Sequence, residues 1–412
     1  MSSSSTAALA ADGGAMPKAG LMQGALSLLL CCLPLVAFMS LPPAMPKLVA
    51  HFAGVKGVTV LTPLLATAPA LCVAILAPLA GWLADRIGRR KLALGATALF
   101  ALASVVPLLV DDLWLILFGR LVMGVANSAL ITIGITLIGD YFDGPVRSKW
   151  LAANSVVGSL LISAASLSGG VLAGYSWRGP FLINLMALPV LALCFVWLFE
   201  PPILRAATQS DAPQETAAFP WRSLAGLALV TLVCAVLFYA EAVQIGLVMD
   251  QIGVKAPGVI ALASSGASLG YPLGAWVYSK IVQVWSGPTR LCVGWGLFGF
   301  GLIGLGAIPD PLLAGLSGFI QQLGAGIVLT GLVNQCYERF PIQIRALSAG
   351  VWMSAFFFGQ FASPLVVAAI SGGVGGLRPA IAVLGAPPLI FALLALVKRA
   401  PAPAIPAAVD LA

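Results

Sequence analysis

The chain repeats one pattern from end to end: apolar segments separated by short stretches that carry charge, proline or glycine. A transmembrane helix needs about 20 mainly apolar residues, so each segment is long enough to cross a bilayer. We place twelve such helices near residues 20–42, 58–83, 91–110, 113–138, 150–173, 179–199, 223–247, 256–279, 289–308, 311–335, 345–370 and 377–397. Hydrophobic residues make up 60% of the chain and charged residues only 8%, whereas soluble domains average about 25% charged residues. The sequence therefore predicts an all-α membrane protein and excludes soluble enzymes and nucleic-acid-binding domains.

Neither the cysteines nor the one histidine suggest a metal site or a cofactor. The seven cysteines lie in or next to apolar segments without a C-x-x-C pair, and His51 is the only histidine. Gly299-Phe-Gly-Leu-Ile-Gly304 matches G-x-G-x-x-G, but it lies inside an apolar helix without the preceding strand that dinucleotide binding requires. The sequence also has no G-x-x-x-x-G-K-[ST] loop for ATP. We therefore predict no metal, no disulfide and no cofactor.

The polar stretches divide the chain into five parts. We predict an N-terminal tail at 1–19, a six-helix bundle at 20–199, a linker at 200–222, a second six-helix bundle at 223–399 and a C-terminal tail at 400–412. With both tails and the linker on one side, that side holds 15 of the 21 Lys and Arg residues and the other side holds 5. Because basic residues collect in cytoplasmic loops, this count predicts a multi-pass protein of the bacterial inner membrane with both termini cytoplasmic.

The two halves share a short internal repeat. Asp140-Tyr-Phe-Asp-Gly-Pro-Val-Arg147 ends the fourth predicted helix, and Glu338-Arg-Phe-Pro-Ile-Gln-Ile-Arg345 ends the tenth, 198 positions later. Asp112 and Asp310, just before the same two helices, share that spacing. The common register predicts two parallel six-helix bundles related by a pseudo-twofold axis along the membrane normal.

The most specific motif lies between the second and third helices. It reads Gly81-Trp-Leu-Ala-Asp-Arg-Ile-Gly-Arg-Arg-Lys91 and resembles the G-x-x-x-D-R-x-G-R-R/K signature of the major facilitator superfamily. The resemblance implies the twelve-helix fold of that family and alternating access between two six-helix bundles. It also implies a latch that holds the cytoplasmic side closed when the central cavity opens outward. The predicted latch residues are Gly81, Asp85, Arg86, Gly88, Arg89, Arg90 and Lys91.

Each part of this motif has a physical role. Gly81 lets the second helix approach a neighbour closely. Asp85 can face a helix N-terminus in the opposite half, where the helix dipole favours negative charge. The basic residues that follow hold the loop against anionic headgroups and nearby carboxylates.

A second motif, on the fourth helix, reads Leu117-Phe-Gly-Arg-Leu-Val-Met-Gly124. It resembles the buried-arginine motif of proton-coupled members of the superfamily, chiefly exporters. The antiporter pattern G-x-x-x-G-P-x-x-G-G is only partly present on the fifth helix, because Ala165-Ser166 stands where the pattern has Gly-Pro. The second half likewise has Tyr278 where Asp85 would fall, so the latch is predicted to be asymmetric.

Arg120 and Glu241 are the two charges placed well inside the membrane, where an ionisable residue is a functional hypothesis by default. Counted from Asp112 and Asp250, they lie at similar depths in opposite halves, roughly 12 and 14 Å from the outer side at 1.5 Å per residue. We expect them to interact across the cavity, directly or through substrate, so that protonation is coupled to which face is open. A static ion pair and the absence of any contact are the alternatives.

Other polar groups fit a solute pathway or interhelical packing equally well. The predicted substrate and proton-coupling residues are Arg120, Glu241, Asn127, Gln244, Tyr239, Gln321 and Gln360, with Gln322, Asn334 and Trp352 nearby on the tenth and eleventh helices.

These features predict a secondary active transporter, not an enzyme, that moves a small organic molecule by proton-coupled efflux. The alternative is a proton-coupled importer of a small organic solute such as a carboxylate, siderophore or metabolite. A membrane-embedded enzyme would need a cluster of histidines or acids, and a receptor would need a signalling domain. The expected partners are a small-molecule substrate, protons and membrane lipids, with no nucleic acid, and the expected state is a monomer.

Overall fold

The computed structural model describes residues 19–201, 220–338, 340 and 345–397. The predicted linker and tails lie outside these ranges, except for a few residues at their edges. The described chain is helical and contains no strand, so the predicted all-α fold is confirmed. Its helices are α1 (Leu21–Met39), α2 (Met45–His51), α3 (Val58–Ile87), α4 (Arg89–Leu109), α5 (Leu113–Tyr141), α6 (Gly144–Tyr175), α7 (Gly179–Leu182), α8 (Ala187–Trp197), α9 (Trp221–Gln251), α10 (Pro257–Ser268), α11 (Gly270–Ile281), α12 (Gly287–Ala307), α13 (Pro311–Glu338), α14 (Arg345–Val374), α15 (Leu377–Val383) and α16 (Ala386–Val397).

Eleven helical stretches in the described ranges are long and apolar enough to cross a membrane, which makes this a multi-pass membrane protein. The eighth predicted span, near 256–279, is instead two helices of 12 residues each, α10 and α11. Pro272 explains the break, because a proline has no N–H to donate to the carbonyl of Ser268 four residues earlier. The eighth segment is therefore helical but interrupted.

Prolines also move two helix boundaries from their predicted places. The first span continues past residue 42 through a 3-10 turn, Pro42–Ala44, into α2, which ends at His51. α6 begins at Gly144 rather than near 150, with a proline in its first turn. A proline fits the first turn of a helix because its missing N–H would have no helical partner there.

Each half of the chain has its own apolar core. Phe100, Leu130 and Ile133 belong to the core among α1–α8, whereas Phe298 and Leu329 belong to the core among α9–α16. A third buried cluster joins the two halves. Across this boundary α3 packs on α14, α6 packs on α10, and α2 packs on α9. We call α1–α8 the N-terminal bundle and α9–α16 the C-terminal bundle.

The two faces of the helical assembly differ. We call the face that carries residues 85–91 the motif face and the opposite face, which carries His51, the far face. At the far face the bundles are in backbone contact, since a Cβ added to Gly170 of α6 would lie 2.7 Å from the carbonyl oxygen of Pro257. Deeper along the same crossing, Ser265 Oγ donates to the carbonyl oxygen of Ser163 at 3.2 Å. The structure is therefore closed at the far face.

Candidate functional site

A cavity of about 100 Å³ lies between the two bundles. The N-terminal bundle contributes Arg120 and Asn127 from α5, and the C-terminal bundle contributes Tyr239 from α9 and Gln360 from α14. All four were predicted site residues, so the structure brings these four together. None of the described residues that line this cavity is acidic, so Arg120 gives it positive charge.

Arg120 is 1% exposed and bonds to backbone of its own bundle. Its Nε donates to the carbonyl oxygen of Leu65 at 2.6 Å, and its Nη2 donates to that of Ala37 at 3.1 Å. Its Nη1 lies 3.2 Å from Met123 Sδ, and the guanidinium stands over the ring of Phe181. A buried guanidinium needs such partners because an unpaired charge in an apolar interior is very costly.

The sequence explains why no backbone N–H occupies either carbonyl group, although that of Ala37 also accepts from Ser40 Oγ at 3.3 Å. In a helix the carbonyl of Leu65 would accept from residue 69, but that residue is Pro69, which has no N–H. The carbonyl of Ala37 lies in the last turn of α1, and the N–H of Leu41 bonds to Phe38 instead. The proline in α3 and the end of α1 thus leave acceptors at the depth where α5 presents Arg120.

The expected pairing of Arg120 with Glu241 is absent from this structure. Glu241 is 1% exposed and accepts a hydrogen bond from Gln322 Nε2 inside the C-terminal bundle. Neither residue takes part in an ion pair with the other. The reason is that each side chain finds polar partners within its own bundle.

Aromatic rings form much of the remaining cavity wall. Tyr239 packs edge-on against Phe38 at 5.4 Å between ring centroids and against Phe356 at 5.5 Å. Phe356 also stacks on Trp352 at 5.4 Å, and Phe357 lines the same cavity. These phenylalanines were not predicted, because an apolar residue on a membrane helix gives no sign of whether it faces lipid, core or cavity.

The polar side chains of the cavity are not fully satisfied by the protein. Asn127 Oδ1 is buried and makes no hydrogen bond to the described protein atoms. The indole Nε1 of Trp352, on the ring that stacks on Phe356, also lacks a partner among the described protein atoms, but Trp352 does not line the cavity. A buried polar group without a partner costs about 1–3 kcal/mol, so Asn127 Oδ1 can hydrogen-bond a solute or water in the cavity.

Besides Glu241, two predicted residues lie outside the cavity. Gln321 is fully buried and does not line the cavity. It packs closely against Gly301 of α12, where an added Cβ would lie 2.5 Å from Gln321 Cα. Gln244 lines a different pocket, toward the far face. The neighbour of Gln321, Gln322, is the glutamine that contacts Glu241. Adjacent residues on a helix point about 100° apart. The spacing of apolar residues did not show which of the two glutamines faces Glu241.

The predicted latch residues form a polar cluster at the motif face. Arg89 Nη2 lies 2.6 Å from Asp85 Oδ1, and Arg89 Nε lies 3.1 Å from Asp140 Oδ2. Arg86 stands over the ring of Trp82, and Lys91 is exposed. In the described part of the chain, the contacts of this cluster stay within the N-terminal bundle. The predicted placement of Asp85 against the opposite half is therefore not seen with the far face closed.

Glu200 is a member of this cluster that was not predicted. Its two carboxylate oxygens accept from the backbone N–H groups of Arg89 at 2.6 Å and Arg90 at 2.9 Å. A carboxylate at this position satisfies free N–H groups at the start of α4 and complements the helix dipole. Gly88 is needed beside it, because its φ is +97° and an added Cβ would lie 2.9 Å from Glu200 Oε2.

The role predicted for Gly81 is wrong for this conformation. A Cβ added there would lie 3.9 Å from Thr132 Cγ2, which is ordinary contact. The close approach between α3 and α5 is at Gly124, where an added Cβ would lie 2.6 Å from the carbonyl oxygen of Pro69. Gly124 thereby lets α5 pack against the same proline that frees a carbonyl for Arg120.

Within the described residues, no group of three or more His, Cys, Asp or Glu side chains is arranged to hold a metal ion. The seven cysteines are all free thiols. The site is therefore built from a cation, amides and aromatic rings.

A sequence model of the Major Facilitator Superfamily matches residues 26–280. The chain belongs to this superfamily. Members of this superfamily are membrane transporters rather than enzymes, and we refer to the chain below as a facilitator.

Relatives of this facilitator are named as transporters of organic molecules. It is 26% identical over 300 residues to the 3-(3-hydroxy-phenyl)propionate transporter of Escherichia coli, a match that covers 69% of this chain and 72% of that protein. It is 27% identical over 154 residues to the multidrug transporter protein MdtP of Bacillus subtilis, covering 37% of this chain and 28% of that one. The efflux pump dotC of Dothistroma septosporum is 31% identical over 38% of this chain. The match to dotC spans 26% of that pump, so it and the MdtP match each cover under a third of the relative's length.

Solved structures show the same fold at low identity. Two crystal structures of a bacterial homolog of the human lysosomal transporter Spinster, both inward-facing, superpose on this facilitator. The unoccupied form gives a TM-score of 0.73 at 17% identity and covers 92% of this chain and 97% of that one. The occupied form gives 0.74 at 15% identity, covering 91% and 96%.

Proposed function

We propose that this facilitator is a proton-coupled exporter that binds a small amphipathic organic molecule in the cavity between its bundles. The supporting observation is the composition of that cavity. In the described lining a single cation, Arg120, and two amide side chains lie among aromatic rings, and no acidic group is present there. Apolar walls with a few placed polar groups suit small organic ligands.

The proposed orientation places the motif face in the cytoplasm. This face carries the basic residues of the 85–91 loop, as cytoplasmic loops do. The described structure, closed at the far face, then corresponds to a cytoplasm-facing state. A small molecule would enter the cavity from the cytoplasm and leave at the far face after the bundles rock.

Transport by the purified full chain in liposomes tests the proposal. A pH gradient is imposed, and movement of two probes is followed: ethidium, an amphipathic aromatic cation, and 3-(3-hydroxyphenyl)propionate, an aromatic anion. We expect gradient-driven movement of at least one probe. Arg120→Ala should reduce it by at least about tenfold, because that variant loses charge-assisted hydrogen bonds worth about 1.5–3 kcal/mol.

The control variant is Phe300→Ala, which alters an exposed residue on the outer surface of α12. It should transport at the parental rate. If neither probe responds to the gradient, or if both variants behave alike, the proposal is wrong. Direction is then measured in cells, since loss of an exporter raises the internal level of the solute.

A second candidate function is proton-coupled uptake of a small aromatic carboxylate. Two observations favour it. The charge of Arg120 has no acidic partner among the described residues, so it complements an anion, and the relative matched over most of its length is named for a phenylpropionate. In the liposome experiment this function predicts that the anion moves with protons and ethidium does not move.

A further inference from the structure

Glu241 occupies a polar pocket of its own inside the C-terminal bundle. Its side chain lies between α9, α10 and α13: Oε2 accepts from Gln322 Nε2. A Cβ added to Gly318 would lie 3.2 Å from Oε1 and 3.3 Å from the Cβ of Ala267. Gly318 therefore leaves room for the carboxyl group at a point where α13 otherwise packs tightly.

Among the side chains that the structure describes, no positive charge faces this carboxyl group. α10 contains no charged residue, and α13 and α14 carry theirs only at their motif-face ends. The cations and acids on the other elements packed against α9, and on α9 itself, also lie at helix ends or bond elsewhere. They are Lys47, His51, Asp85, Arg86, Arg222, Asp250, Arg290, Glu338, Arg345 and Arg378. Of the tyrosines, Tyr239 packs on Phe38 and Tyr271 packs on Phe238.

An ionised carboxylate without a cation is costly at this depth, whereas a neutral carboxylic acid with an amide partner is compatible with it. Gln322 has no charge of its own to stabilise the anion. The pocket thus suits a group that holds a proton while it is buried and releases it when it meets water.

The pocket is also separate from the substrate cavity. Tyr239 lines that cavity, whereas Glu241, two residues later on α9, does not. Two positions along a helix turn a side chain by about 200°. α9 therefore presents Tyr239 to the cavity and Glu241 to the interior of the C-terminal bundle.

A second pocket lies between the bundles toward the far face, and its lining includes Gln244, which is less than one helical turn from Glu241. This pocket has a volume of about 460 Å³ and is lined by Asp250, Gln251 and Gln244 of α9, among others. Gln244 is 3% exposed, and its Oε1 makes no hydrogen bond to the described protein atoms. It lies three residues from Glu241, which makes the two side chains neighbours on the helix.

We propose that Glu241, held by Gln322, is a proton-binding site separate from the substrate cavity and reached from the far face past Gln244. Proton and solute then bind different groups, on opposite sides of α9. Coupling passes through movement of this helix rather than through competition for one site. The inference rests on the proton coupling and the orientation given under the proposed function.

Infrared difference spectra of the purified full chain, recorded between two pH values without any solute, test the proton site directly. We expect a carboxylic-acid band that is lost in Glu241→Gln. The band should shift in Gln322→Ala, which removes the hydrogen-bond donor, and should stay in place in Gln321→Ala, the matched control. If the parent spectrum has no band removed by Glu241→Gln, Glu241 does not bind the proton and the inference is wrong.

Transport of whichever probe responds tests the separation of the two sites. Glu241→Gln should retain gradient-independent exchange of the probe and lose gradient-driven accumulation by roughly tenfold or more, as for a coupling free energy of ordinary size. Gln244→Leu should slow proton uptake from the far face. Loss of probe binding in Glu241→Gln would overturn the separation of the sites. If neither probe moves but the infrared band is present, the proposed function fails while the proton site stands.

Discussion

Arg120 is the largest fully buried side chain in the described structure, and its position depends on a neighbouring proline. Pro69 removes the N–H that would otherwise occupy the carbonyl of Leu65, and Arg120 Nε takes that acceptor at 2.6 Å. A proline inside a helix costs about 3 kcal/mol or more. α3 carries that cost at the point where Arg120 bonds to the freed carbonyl group.

Pro69→Ala should therefore restore a backbone hydrogen bond within α3 and weaken the binding of Arg120 to the Leu65 carbonyl. The restored N–H would bond to Leu65, and Arg120 would lose a charge-assisted hydrogen bond worth about 1.5–3 kcal/mol, which lowers transport by at least about tenfold. The thermal unfolding midpoint of the purified variant in detergent should be no lower than that of the parent, because the helix itself is not weakened. Pro78→Ala is the control, because Pro78 lies in the same helix at an exposed position. Equal losses in both variants would assign the effect to the shape of α3 rather than to Arg120.

Between elements, contact at the far face depends on glycines. α6 meets α10 at Gly170, where an added Cβ would lie 2.7 Å from the Pro257 carbonyl oxygen. Four residues later on the same helix, a Cβ added to Gly174 would meet nothing within 4 Å. Protein interiors have few voids, so a new side chain at Gly170 must push the helices apart.

Gly170→Val should hold the far face open, and Gly174→Val should not. The measurement is the labelling rate of a cysteine placed at Ser264, deeper on α10, by a membrane-impermeant maleimide. We expect labelling to rise only with Gly170→Val, together with a loss of transport. Unchanged labelling would mean that this crossing adapts without opening.

At the scale of the whole molecule, the two bundles touch at the far face while the motif-face cluster stays within one bundle. Asp85 is 69% exposed and binds Arg89, which Asp140 also binds. If Asp85 is replaced, Arg89 therefore still has Asp140 as an ion-pair partner in this state. Under the predicted latch, the opposite state, with the motif face closed, depends on Asp85 reaching the other bundle.

Asp85→Asn should therefore shift the population toward the far-face-closed state and reduce transport. The readout is faster labelling of a cysteine at the exposed Ser155 of α6, with the same reagent applied from the motif face. Asp143→Asn is the matched control, because Asp143 is 99% exposed and its pair with Arg147 is of the surface kind that contributes little. Slower labelling in Asp85→Asn would contradict the latch.

The sequence by itself determined the membrane class, all but one of the uninterrupted spans, the superfamily and four of the cavity residues. These depend on the length of apolar runs, on a contiguous loop motif and on the rarity of polar groups in membrane helices, all of which are local properties. It also indicated that Arg120 and Glu241 were the charges to explain.

Only the tertiary structure decided which partners these groups have. Leu65 became a partner of Arg120 because Pro69 freed its carbonyl and Gly124 let α3 and α5 approach. Gln322, rather than Gln321, met Glu241 because one residue changes a side chain's direction by about 100°. Partner choice depends on helix rotation and on backbone groups brought in from other helices. Neither is encoded in the apolar spacing of a single segment.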